Sequence, residues 1–146
     1  MSQETLGILI GGFIPALVYG VSGVFTKAST DAGVSIAFYL LAVAGGVIIS
    51  ALAFLVFSPH RPSTLAGLTY AGAFGLLWGV GTGCVALALT AYAAPISKLV
   101  PLYNMNTLIG VVLSLWIFAE WKDVALGRLA AGTLLIVVGS VLVAGA

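Results

Sequence analysis

Hydrophobic residues fall into five long runs, and polar or helix-breaking residues separate one run from the next. A helix crosses the hydrocarbon core of a bilayer, about 30 Å thick, with about 20 apolar residues. Each run has that size. The pattern therefore predicts five transmembrane helices, called spans one to five, over residues 6–26, 35–57, 65–92, 96–119 and 125–144.

The break between spans three and four is the least marked of the four breaks. The segment AYAAPISKLVP, residues 91–101, contains Pro95, Lys98 and Pro101. Proline disfavours helix at its own position and at the preceding residue, so we interpret this segment as a short turn. The alternative is one kinked helix and four spans in all, but residues 65–119 are far too long for a single crossing.

Small residues recur at helical spacing within the spans. Gly75, Gly79 and Gly83 stand at four-residue steps in span three, and Gly20 belongs to a similar series in span one. Such stripes let helix backbones approach closely in lipid, so we predict that these glycines pack helices together and do not bind a ligand. Pro15, inside span one, is a candidate bend point.

Composition supports the membrane interpretation and excludes several functions. Of 146 residues, 62% are hydrophobic and 6% are charged, whereas a soluble domain has about a quarter charged residues. A net charge of +1 excludes a basic nucleic-acid-binding face, so we expect no nucleic-acid partner. His60 and Cys84 are the only residues of their kind, which argues against a metal site or a hydrolase, and we expect neither catalysis nor a cofactor.

The positive charges hardly specify which way the chain inserts. With five spans the termini lie on opposite sides, so Arg61, Lys122 and Arg128 share the N-terminal side, while Lys27 and Lys98 lie on the other. The positive-inside rule would require a clear excess on one side. Two interpretations stay open: the charges are too few to count, or both orientations are made.

No Asp, Glu, Lys, Arg or His lies in the middle third of any span, which argues against transport coupled to a buried carboxylate. The remaining candidates for function are uncharged polar and aromatic residues at helical spacing. They would suit a cavity for a small, partly polar molecule, although each could instead bond one helix to another. These candidates are Tyr19, Ser22 and Thr26 in span one, Trp78 in span three, and Tyr103, Asn104, Thr107 and Ser114 in span four.

Three segments resemble one EamA-type repeat of the drug/metabolite transporter superfamily, and the resemblance covers essentially the whole chain. In YGVSGVFTK, residues 19–27, Gly20 and Lys27 match the first-helix pattern, with Tyr in place of the usual Trp. In residues 101–120, Pro101 and Glu120 match the fourth-helix pattern, and Ala119 replaces the usual Gly. The glycine-spaced run from residue 127 resembles the last helix.

The resemblance implies an all-α integral membrane protein, half of a ten-helix inverted-repeat transporter. Most members carry two repeats of opposite orientation in one chain, so a single repeat would pair with an inverted copy of itself or with an inverted homologous half. The implied function is transport of a small organic solute by alternating access, with membrane lipid as solvent and a prokaryotic inner membrane as location. Two alternatives stay open: a non-transporting accessory membrane subunit, and a flippase for lipids or lipid-linked sugars.

Overall fold

The computed structural model describes residues 2–57, 62–122 and 124–145, and all regular structure within them is helical. Five of these helical segments are long and apolar enough to cross a membrane, as the sequence predicts. The chain is therefore a helical membrane protein. The five spans are Thr5–Asp31, Ile36–Phe57, Leu65–Ala91, Ile96–Ile117 and Leu126–Gly145.

Spans one and four are each assembled from more than one helical element. Span one contains α1, a π-helical turn and α2, and span four contains α5 and α6. A short 3₁₀ helix precedes the last span. The elements are α1 (Gln3–Ile8), the π turn (Leu9–Phe13), α2 (Ile14–Asp31), α3 (Ile36–Phe57), α4 (Leu65–Ala91), α5 (Ile96–Tyr103), α6 (Asn106–Ile117), the 3₁₀ helix (Glu120–Lys122) and α7 (Leu126–Gly145).

The chain forms two compact units, Met1–Ala93 and Ala94–Ala146. In the first unit, α4 packs against both α2 and α3, and the buried side chains include Tyr39 and Leu89. In the second unit, α7 packs against α5 and, less extensively, against α6. At most 17% of any span's most apolar stretch is buried. Most of the apolar surface therefore faces outward, towards lipid or a partner.

Span one is longer than the sequence predicts, because α2 continues past Thr26 to Asp31. The polar residues expected to end it are bonded within the helix. The Thr30 hydroxyl donates to the carbonyl oxygens of Thr26 and Lys27, and Lys27 forms an ion pair with Asp31 one turn later. Pairs at this spacing stabilise a helix, so the polar segment extends α2 instead of ending it.

The predicted turn between spans three and four is confirmed, and the four-span alternative is wrong. Helix α4 ends at Ala91 and α5 begins at Ile96. Pro95 is the N-cap residue of α5, with extended backbone angles, and its lack of an N–H costs nothing at the start of a helix.

The π turn lies directly before Pro15, the predicted bend point. The backbone N–H of Ile14 bonds to the carbonyl oxygen of Leu9, five residues earlier, instead of the usual four. Proline lacks an N–H, and its ring collides with the carbonyl four residues before it in a regular helix. We attribute the π turn to Pro15, since the wider turn moves the backbone away from the ring.

Three helices are followed by a residue in the left-handed conformation, which glycine adopts most easily. After α2 that residue is Gly33, with φ of 81°. After α4 and α6, however, it is alanine: Ala93 has φ of 48° and Ala119 has φ of 55°. Both alanines therefore hold a conformation that an L-residue adopts at a cost in free energy.

Candidate functional site

Span four is interrupted at the polar residues that the sequence singles out. Helix α5 ends at Tyr103 and α6 begins at Asn106, with Asn104 and Met105 between them. The backbone N–H of Met105 bonds to the carbonyl oxygen of Leu102, three residues earlier, at 3.1 Å. The break is therefore a tightened 3₁₀ turn, which often marks a hinge.

The tightening continues into the first turn of α6. The backbone N–H groups of Thr107 and Leu108 bond three residues back, to Asn104 and Met105, at 3.1 and 3.0 Å. Pro101 lies in α5, one turn before the break, and contributes no backbone N–H. The sequence assigns Pro101 to the start of span four, and the structure adds that the helix is interrupted one turn later.

The break lies at the centre of its span. The midpoint of Ile96–Ile117 falls between Asn106 and Thr107. Two other candidates are central in their own spans: Trp78 is the midpoint of Leu65–Ala91, and Tyr19 is one residue past the midpoint of Thr5–Asp31. The candidates that carry an amide or an aromatic ring are thus placed far from both ends of their helices.

The polar side chains at the break differ in how they are bonded. Asn104 and Thr107 are exposed, and neither side chain hydrogen bonds to another residue that the structure describes. Tyr103, beside them, is also exposed. Ser114, two turns into α6, is partly buried, and its hydroxyl donates to the Val111 carbonyl oxygen at 3.1 Å. Of the candidates in span four, Asn104 and Thr107 are therefore the two whose side chains have no hydrogen bond among the described residues.

On span one, the three candidates have three different environments. Tyr19 is 68% exposed, and its carbonyl oxygen accepts a hydrogen bond from the Ser22 hydroxyl at 2.8 Å. Thr26 is partly buried, and its hydroxyl bonds to the hydroxyl of Tyr39 on α3 at 3.0 Å. Thr26 therefore joins spans one and two. Tyr39 was not among the predicted residues, and its one signal is a tyrosine in the first turn of a span whose one other polar side chain is Ser50.

The glycines of the predicted packing stripes are not equivalent. A Cβ on Gly83 would lie 3.4 Å from Cδ1 of Leu40, so α4 approaches α3 closely there. A Cβ on Gly20, Gly75 or Gly79 would have no neighbour within 4 Å among the described residues. For those three, packing stays a prediction.

The charged residues of the family motif lie at the ends of helices. Lys27 is paired with Asp31 near the end of α2, and Glu120 is exposed at the start of the 3₁₀ helix. Arg61 and His60 lie outside the described residues. Among the residues that are described, no three His, Cys, Asp or Glu side chains are grouped as a metal site would require.

A cavity of about 280 Å³ lies between α6 and α7, beyond the break. It was not predicted, because its walls are ordinary aliphatic residues. Thr133, the one hydroxyl residue among the described residues of its walls, donates that hydroxyl to the Leu129 carbonyl oxygen at 2.8 Å. Helix α6 contributes Leu108, Val111, Val112 and Leu115, and α7 contributes residues between Leu126 and Val137.

Comparison with known proteins identifies no family. No family model, no curated protein and no solved structure matches this chain. Its function must therefore be inferred from the residues and the geometry above, and the resemblance to an EamA-type repeat stays a prediction.

Proposed function

We propose that this chain is a half-size transporter of small organic solutes, that it works by alternating access, and that its working form is an antiparallel homodimer. The observation that carries the proposal is the interruption of span four at its centre, beside the unbonded side chains of Asn104 and Thr107. Secondary transporters commonly bind substrate near the bilayer midplane, at discontinuous helices. An intact, fully apolar span would not support this function.

The polar residues of the break supply the groups that a neutral, partly polar solute requires. The Asn104 amide both donates and accepts hydrogen bonds, and the Thr107 hydroxyl does the same. Tyr103, next to Asn104 in the chain, would add aromatic surface. Because a polar group in hydrocarbon is costly when unbonded, binding a solute here satisfies groups that the chain leaves open.

The break also supplies a means of movement. A 3₁₀ turn between α5 and α6 lets the two halves of span four change their relative direction with few altered backbone bonds. Alternating access needs such an element at the bound solute. No Asp, Glu, Lys, Arg or His lies in the middle third of any span, so we expect facilitated or weakly coupled transport, without a cofactor and without catalysis.

The charge distribution and the exposure of the spans support pairing with an inverted copy. The Lys and Arg residues divide three to two between the two sides, too evenly to fix one orientation. Few residues of any span are buried within the chain, so each span keeps surface for a partner. The resemblance to a repeat that is normally doubled and inverted points the same way, and to a prokaryotic inner membrane.

Transport is tested by uptake into proteoliposomes that contain the purified chain. The probes are labelled neutral amino acids, nucleosides and short polyols. We expect at least one to enter faster than into empty vesicles, and Asn104→Leu to remove that difference. Thr90→Val is the matched control, because the Thr90 hydroxyl donates to the Ala86 carbonyl oxygen near the end of α4. Uptake equal to empty vesicles, or wild-type uptake by Asn104→Leu, would contradict transport at this site.

Dual orientation is tested by labelling a C-terminal tag from each side of the membrane. We expect the tag to be labelled from both sides. Lys98→Gln should favour the orientation with a cytoplasmic N-terminus, because the Lys and Arg residues then divide three to one between the two sides. Lys98→Arg keeps the charge and should leave the distribution unchanged. If the wild-type chain has a single orientation and no second protein is bound, the inverted homodimer is refuted. If it has a single orientation and a second protein is bound in stoichiometric amount, the chain is an accessory subunit of that protein.

A further inference from the structure

The groove between α6 and α7 differs from the close packing on the other side of the break. Helix α5 packs along α7, whereas α6 leaves the cavity of about 280 Å³ beside it. The walls carry branched aliphatic side chains, among them Val112 and Leu134, and both of these are exposed. The groove is therefore apolar and open to the surroundings of the chain.

The length of the groove corresponds to one leaflet of a bilayer. On α7 its lining begins at Leu126, the first residue of the span, and ends at Val137, just past the span's midpoint. This stretch is about 16 Å long at about 1.5 Å per residue. Half of a hydrocarbon core of about 30 Å is about 15 Å. On α6 the lining begins at Leu108, directly after the central break.

These dimensions indicate which kind of molecule the groove would bind. A helix of a partner protein would cross both leaflets, and its interface would be rich in small residues. This groove stops at the midpoint, and among the described residues of its walls Ala130 is the one that lets a backbone approach closely. An acyl chain of a membrane phospholipid fits such a groove, because it is apolar, elongated and limited to one leaflet.

We propose that the α6–α7 groove binds one phospholipid from the leaflet at the Leu126 end, with an acyl chain in the groove and its phosphate near Arg128. Arg128 is exposed in the first turn of α7, and Lys122 is exposed in the 3₁₀ helix before it. Guanidinium and ammonium groups both bind phosphate. The nearby sequence also carries Glu120 and Asp123, so the local charge is balanced. We therefore expect little preference between net-neutral and anionic headgroups.

The test is native mass spectrometry of the full chain in detergent, titrated with phosphatidylethanolamine and, separately, with phosphatidylglycerol. We expect one tightly bound phospholipid of either kind. Ala130→Phe and Val112→Phe fill the groove from opposite walls and should each lose that lipid. Leu135→Phe is the matched control, because Leu135 is exposed on α7 and is not part of the groove. Circular dichroism verifies the helix content of every variant.

Three results would count against the lipid site. Equal lipid retention by all three phenylalanine variants would overturn the proposal, because the lipid would then lie elsewhere. Loss of dimer with no change in bound lipid would also overturn it and would assign the groove to a second copy. A strong preference for phosphatidylglycerol would contradict the balanced headgroup region. None of these measurements depends on transport, so the lipid site can fail while the transport proposal stands.

Discussion

Ala119 is a position where one substitution should stabilise this protein. It follows Phe118, the C-cap residue of α6, and has a φ of 55°, in the left-handed region. There the Cβ of an L-residue crowds the following carbonyl oxygen, at a cost of about 1–2 kcal/mol. Glycine has no Cβ, so we expect Ala119→Gly to raise the free energy of unfolding.

The magnitude is set by two opposing contributions. Relief of the Cβ contact contributes about 1–2 kcal/mol, and the greater freedom of glycine in the unfolded chain removes about 0.4–1 kcal/mol. The midpoints of the two ranges give a net stabilisation of about 0.8 kcal/mol. Ala93, with a φ of 48° after α4, should respond in the same way to Ala93→Gly. Gly33 has a φ of 81°, so Gly33→Ala should destabilise by a similar amount.

The assay is equilibrium unfolding in mixed micelles, with helix content followed as the fraction of denaturing detergent rises. Ala71→Gly is the matched control, since Ala71 is exposed inside α4, where glycine costs about 0.8–1.0 kcal/mol relative to alanine. The same chemical change should therefore have opposite signs at Ala119 and Ala71. If both substitutions lower the free energy of unfolding, the left-handed backbone at Ala119 carries no strain that glycine can relieve.

Two further predictions concern packing within the first unit. Thr26→Val and Tyr39→Phe each remove the 3.0 Å hydrogen bond between α2 and α3. A double-mutant cycle on the free energy of unfolding should give a coupling energy of about 0.6 kcal/mol between the two side chains. Additive effects of the two single substitutions would contradict this prediction. Gly83→Leu should destabilise by about 1–3 kcal/mol, because its side chain is directed against Leu40. Gly75→Leu meets no neighbour among the described residues and replaces glycine inside α4 by a good helix former, so it should not lower the same free energy; a matching loss there would show that the effect is not one of contact.

The five spans could be predicted because a bilayer imposes both a length and an apolar composition on a crossing helix. The end of span one could not. Lys27 and Thr30 suggest a loop by composition, but their side chains bond within α2 and extend it to Asp31. Hydropathy locates the edge of the membrane, whereas hydrogen bonding decides where the helix stops.

The candidate site was only partly predictable, for a different physical reason. The sequence selects Asn104 as a candidate and places Pro101 in the turn before span four, but it predicts no break within the span, because the break depends on which backbone hydrogen bonds form in the folded chain. The left-handed backbone conformation of Ala93 and Ala119 could not be predicted from the sequence either, because alanine favours the right-handed helix. The α6–α7 groove has no signature, because leucine and valine at helical spacing look the same whether they pack or line a cavity.

The side chains of Asn104 and Thr107, at the centre of span four, have no hydrogen-bond partner among the described residues. A polar group in hydrocarbon costs free energy until it is hydrogen bonded, and Asn104 and Thr107 have no side-chain bond to any residue in 2–57, 62–122 or 124–145. Our proposal assigns the partner to a solute and its water, and the alternative is a second copy of the chain. If it is a solute, Asn104→Leu abolishes uptake and leaves the dimer intact, as measured by cross-linking. If it is the second copy, the same substitution weakens the dimer, and the loss of uptake follows the loss of dimer.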